Sequence, residues 1–368
     1  VGASRPETTR RPWRLWVLFG VCSLLSACSA PASLYATKPA LELQWPPHPV
    51  VERIVWVKSI ADYRDLGIAT GGWKRVLELL TGTGKEQIVR PHGVLFDAGE
   101  RLIVADPGAG VVHCMDVKAG RYHAIGREPG KRFVTPIGVT EDEEGLLYIT
   151  DSGAATVYVY DLEQKTLKPF LRGSFLRPTG IAYSKFDGLI YIVDALGNQV
   201  VAVDRQGREK KRFGAFGDAQ DQFNRPTDIA IDRLGRIYIT DPLNYRIKVL
   251  SSKGELLRQF GSAGDQPGSL EKPKGLALDS EGHIYVADAL MDLVQIFDDS
   301  GNLLLYFGGN GTADGKFWMP SGLFIDQNDF IFVADTYNRR IQVFRYQSAT
   351  RAEKGGGGTG SAPAPSTR

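Results

Sequence analysis

The chain has 368 residues, 43% of them hydrophobic, and a formal charge of +2. That length can bury a sizeable core, and it suits a fold that grows by adding repeats rather than domains. Near-neutrality removes any global electrostatic case for nucleic acid, whose binders concentrate a strong basic excess on one face.

The first predicted element is an export signal. Arg10, Arg11 and Arg14 precede the apolar run Leu15 to Leu25, and Leu25-Ser26-Ala27-Cys28 follows. A basic start, a short apolar core and small residues at a cleavage point describe a secretory segment too short to span a bilayer comfortably. Cys28 stands where a lipobox cysteine belongs, so residues 1–28 resemble the signal of a bacterial lipoprotein, with the lipid on Cys28. An ordinary signal peptide with an incidental cysteine is the other reading. Ser29, rather than aspartate, favours the outer membrane, facing the periplasm. Cys22 would leave with the signal and Cys28 would be acylated, so Cys114 remains alone, in an apolar stretch that suits a packed core thiol.

Residues 29–49 read as a Pro- and Ala-rich tether. Ile54 to Ile60 then has the composition of a strand but belongs to no repeat. The crossing from Asp62 to Arg90 carries a short amphipathic helical stretch, Trp73 to Leu80. Its Thr81-Gly82-Thr83-Gly84-Lys85 resembles a phosphate loop only superficially, because Leu79 and Glu86 stand where the motif needs Gly and Ser or Thr.

From Pro91 onward one pattern recurs six times: proline, a turn residue, an apolar run, a turn, then an alternating strand ending on aspartate. The prolines are Pro91, Pro136, Pro178, Pro226, Pro273 and Pro320, at steps of 42 to 48 residues, and each aspartate follows its proline by 15 or 16 positions. Short strands at such a period predict an all-β, six-bladed propeller of four-stranded antiparallel blades over residues 50–347. In the fourth copy the strands fall at Thr227 to Ile231, Gly235 to Asp241, Arg246 to Leu250 and Glu255 to Phe260. The sixth copy lacks a fourth strand after Phe344, and Ile54 to Ile60 is its natural donor, which would leave no unpaired edge at the seam. Residues 348–368, rich in Gly, Pro and Ser, read as a disordered tail.

Asp241-Pro-Leu-Asn244-Tyr-Arg246-Ile and Asp335-Thr-Tyr-Asn338-Arg-Arg340-Ile, with the recurring G-x-[IL]-[YF]-[VI]-x-D, resemble the NHL repeat over roughly residues 50 to 347. That family implies six blades. It includes amidating lyases, RNA-binding regulators and sensor domains, so the resemblance leaves function open. The lyases place zinc-binding histidines in P-H-[SG] contexts on several blades, and Pro91-His92-Gly93 matches once. One imidazole does not make a zinc site.

With this strand order the start of each first strand and the end of each second strand share one face. The residues after the prolines, His92, Ile137, Thr179, Thr227, Lys274 and Ser321, are expected to ring the channel. The aspartates Asp106, Asp151, Asp194, Asp241, Asp288 and Asp335 invite a calcium reading, but a residue in every copy is better explained by a turn that every blade needs. Before the prolines stand Arg90, Arg177, Arg225 and Lys272. With His92, Lys274, Arg246 and Arg340 they form a candidate anion-attracting ligand face, unless they merely pair with the blade aspartates. Phe223, Leu270 and Phe317 are expected to plug between blades, and Phe216, Trp318 and Tyr337 to be exposed.

These features point to a lipid-tethered, non-catalytic binding or scaffold module for a protein, peptide or glycan in the cell envelope. No catalytic residue, metal or cofactor is assigned, and nucleic acid is not expected. The alternative is a metal-dependent hydrolase or lyase using the channel mouth.

Overall fold

The computed structural model describes residues 43–47, 53–68, 87–127 and 132–348, with Gly2 and Val50. Cys28, His48, the stretch 73–80 and the tail from residue 349 lie outside the described residues. Among those described, no helix is long and apolar enough to cross a membrane.

Six antiparallel sheets form the six blades. The fifth is representative: Pro273–Leu278, Ile284–Asp288, Leu293–Phe297 and Leu303–Gly308 pair in sequence order. Every residue of its second and third strands is buried, because each blade packs both faces against its neighbours. Alternation between half-buried and exposed residues appears in the fourth strand, which forms the rim. Gly207, Gly254 and Gly301 take φ of 77°, 88° and 87° in the turns between third and fourth strands, where a side chain would be strained.

The ring closes with the N-terminal strand. Ile54–Ile60 lies antiparallel to Arg340–Tyr346, with Ile54 opposite Tyr346 and Ile60 opposite Ile341. Trp56 Nε1 donates to Gln342 Oε1 at 3.1 Å across this pair. A further short strand, Gln44–Trp45, lines the outside of Ile54–Ile60, and the Trp45 ring packs 5.8 Å from Phe307 and from Phe344.

Where they begin, neighbouring first strands pack closely against one another around the axis. Gly93, Gly138, Gly180, Gly275 and Gly322 hold the second position after proline in five blades. A Cβ on Gly322 would lie 2.0 Å from the His92 carbonyl oxygen, and one on Gly275 would lie 2.1 Å from that of Ser321. Asp228 takes this position in the fourth blade, whose first strand is Ile229–Ile231 rather than beginning at Thr227.

Candidate functional site

The two ends of the channel differ. On one face lie the prolines, the crossings between blades and the turns joining second to third strands; we call it the proline face. The other face carries the turns joining first to second and third to fourth strands.

The aspartates that end the second strands are buried, 0–1% exposed, and each accepts at least one backbone amide of the incoming crossing. Asp106 accepts from the Val89 and Arg90 amides at 2.6 and 2.9 Å and from Ala109 at 3.0 Å. Asp151 does the same for Val134, Thr135 and Ala154, and Asp194 for Leu176, Arg177 and Gly197. Asp288 holds Glu271 and Lys272, Asp241 holds Asn224, and Asp335 holds Trp318. Each carboxylate thus ties the incoming crossing to its blade, in most blades clasping the following turn as well.

A second set of six, which the sequence reading passed over, serves the opposite face. Asp97, Asp142, Asp187, Asp232, Asp279 and Asp326 accept amides of the turns from first to second strand, as Asp142 does from Glu144 and Leu146. Four of them also accept a tyrosine hydroxyl from the second strand, at 2.7 to 3.3 Å. Their signal is a spacing of 45 to 47 residues.

Two expected members of the ligand face belong to loop clasps instead. Arg246 is buried, its Nε donates to Asp241 at 2.8 Å, and its Nη1 donates to the Asp218 carbonyl at 2.7 Å. Arg340 repeats this with Asp335 and the Ala313 and Lys316 carbonyls. Their guanidiniums are consumed in pinning the long crossings. Lys248 completes the clasp in the fourth blade by donating to the Ala219, Gln220 and Gln222 carbonyls at 2.8, 2.9 and 2.6 Å. Gln295 and Gln342 hold the equivalent loops in the next two blades.

The remaining cations behave differently. Arg90, Arg177, Arg225 and Lys272 are exposed, Lys274 projects from the channel wall, and none forms an ion pair among the described residues. The blade aspartates that take an arginine take Arg246 and Arg340, and none pairs with these five cations among the described residues. Arg90 instead stacks over the Tyr337 ring at 5.8 Å.

Four of these charges converge. Burial and then the charges of Lys272 and Arg177 lower the Lys274 ammonium. Burial, followed by Lys274, Arg90 and Arg177, pushes His92 down to about 3, so its imidazole is neutral and contributes no charge. Arg225 occupies the same position in the fourth blade, with its own amide held by Asn198 Oδ1 at 2.8 Å.

Below this mouth lies a cavity of about 250 Å³. His92, Ile137, Thr227 and Lys274 line it, but Thr179 and Ser321 do not. Ser321 Oγ turns into the blade seam, 2.7 Å from Thr336 Oγ1, and Thr179 is buried. Deeper in the wall, Asp228 accepts from the Leu276 amide at 3.0 Å and has no cationic partner among the described residues. Protein surrounds it on all sides although channel water reaches it, and this burial pushes its carboxyl up to about 7. Cys114 is buried among core residues, and burial pushes its thiol up to about 12, which makes it inert as a nucleophile. Among the described residues no three His, Cys, Asp or Glu side chains are grouped to hold a metal.

Residues 317–344, in the last blade, match the NHL repeat. Solved structures of similar fold include virginiamycin B lyase from Staphylococcus aureus, at 12% identity and a TM-score of 0.53 over 71% of this chain and 97% of that one. An auxiliary nutrient binding protein from Bacteroides thetaiotaomicron aligns at 15% identity and 0.57 over 70% and 69%. A protein of unknown function from the same organism aligns at 15% and 0.59 over 72% and 71%. At such identities the likeness is one of fold.

Proposed function

We propose that this six-bladed NHL propeller is a non-catalytic binding module, held in a cell envelope by a lipid on Cys28, that takes an anionic group of its partner at the proline-face channel mouth. The observation that carries this reading is the set of five cations, Arg90, Arg177, Arg225, Lys272 and Lys274, that have no carboxylate partner among the described residues. A propeller stabilised only by surface pairing would match such charges internally. Here the blade aspartates hold backbone amides and, in two blades, Arg246 and Arg340, and the positive potential at the mouth is left for a ligand. Asp228 and His92 share the cavity wall, but among the described residues neither is paired with a nucleophile or a second base, which favours binding over turnover.

The test is a titration of the full chain with hexaglutamate as a soluble anionic probe, at low and high salt. Binding should weaken with salt, because exposed charge attraction is screened over ~8–10 Å at ordinary ionic strength. Arg177→Gln/Lys272→Gln/Lys274→Gln should bind more weakly and with a flatter salt dependence. Equal binding by the triple variant would sink the reading.

A further inference from the structure

Apolar side chains surround the cations on the same face. Val134, Leu176 and Trp318 stand two residues before their prolines, Phe216 lies in a crossing, and Leu243 and Leu290 tip the turns between second and third strands. Their exposure runs from 47% for Trp318 to 70% for Phe216. The opposite face offers Phe186 and Leu234, and its carboxylates are largely matched on that face, Glu141 by Arg101 and Asp142 and Glu144 by Arg205. The proline face is therefore distinguished by a cluster of cations at its centre with apolar tips around it, while its crossings also carry the exposed carboxylates Asp218, Asp221 and Asp265.

The path of the chain adds an independent orientation. Arg340–Tyr346 runs away from the proline face, Ile54–Ile60 returns toward it, and Gln44–Trp45 is antiparallel to Ile54–Ile60. Leu43 thus enters the propeller from the proline-face side, and its carbonyl accepts from the Trp56 amide at 2.9 Å. Cys28 lies only 15 positions earlier (43 − 28), a reach of at most ~50 Å of extended chain.

We infer that the anionic partner of this face is a phospholipid surface: the cations meet acidic headgroups and the outer apolar ring enters the interfacial layer. This rests on the reading of the mouth as an anion site and names its occupant. A ring of separate aromatic and aliphatic tips around a positive centre suits a flat, fluid surface, where each tip inserts on its own. An acidic polypeptide would meet the same charges but would leave most of that ring uncovered.

The experiment uses the full chain reconstituted into phosphatidylcholine vesicles with or without phosphatidylglycerol. A fluorophore on a cysteine introduced by Leu290→Cys on the proline face, or by Leu234→Cys on the other, reports depth through quenching by brominated acyl chains. Quenching is expected at position 290 only and only with phosphatidylglycerol, and it should be lost in ~0.5 M salt. Arg90→Gln/Arg177→Gln/Lys272→Gln should need at least about tenfold more anionic lipid, since each basic residue near such a surface contributes on the order of a several-fold gain. Equal quenching at both positions, or none at 290, overturns the inference. If 290 stays unquenched while hexaglutamate still binds, the partner is an acidic polypeptide and only the lipid assignment fails; if neither occurs, the anion reading falls with it.

Discussion

Asp228 is the one departure from glycine in the innermost ring, and replacing it with asparagine isolates the cost of its charge. Asparagine keeps an oxygen for the Leu276 amide and changes little else. Burial raises the carboxyl from 3.8 to about 7. At ~1.4 kcal/mol per tenfold change in proton affinity, ionising it in the folded protein costs about 4 kcal/mol. Channel water reaches the group, so about half of that, ~2 kcal/mol, is a fairer lower figure. The folded value lies above the unfolded one, so the native state has its full advantage below ~4, loses it as pH climbs toward ~7 and is level thereafter. Urea denaturation of wild type and Asp228→Asn between pH ~4 and ~8 should show the variant gaining ~2–4 kcal/mol on wild type across that window. Stability curves that stay parallel over the whole range would mean that the carboxylate has a cationic partner or open solvent, contrary to the geometry described.

Three further outcomes follow from the packing. Deleting residues 50–61 strips the sixth blade of its outer strands and should abolish cooperative unfolding and cause aggregation, whereas deleting 30–42 should do neither; light scattering and thermal melts read both. Gly322→Ala forces a Cβ against the His92 carbonyl and should cost ~1–3 kcal/mol or more in chemical denaturation. Lys248→Met orphans three carbonyls and should cost ~2–4 kcal/mol, while Lys248→Gln should cost less, because glutamine serves the same loop in the next two blades.

The blade count, the strand order and the seam strand were legible because they rest on periodicity: proline and aspartate recur at fixed spacing, and Ile54–Ile60 had no other place to go. Phe223, Leu270 and Phe317 are buried plugs and Phe216, Trp318 and Tyr337 are exposed, as their place in the crossings implied. The fate of the cations was legible only in part. Arg246 and Arg340 share the D-x-x-N-x-R pattern and both fold back onto a blade aspartate and crossing carbonyls, whereas Arg225, directly before a proline, faces solvent. Which carbonyls the clasp takes depends on loop paths that the local pattern does not encode. Asp228 was visible as a departure from glycine, but its meaning required knowing that the position lines a channel and abuts the next blade.

The seam also sets an order of events for the chain. Trp56 and Gln342 are 286 residues apart, so a growing polypeptide makes the closing strand long before its partner. Blades built from consecutive strands can form as they are completed, whereas closure must wait for the last of them. Until then Ile54–Ile60 is an apolar ribbon with unused backbone donors and acceptors. The strand that secures the finished ring is therefore the greatest hazard of the unfinished one, and any delay in delivering residues 340–346 lengthens the time it spends available to other molecules.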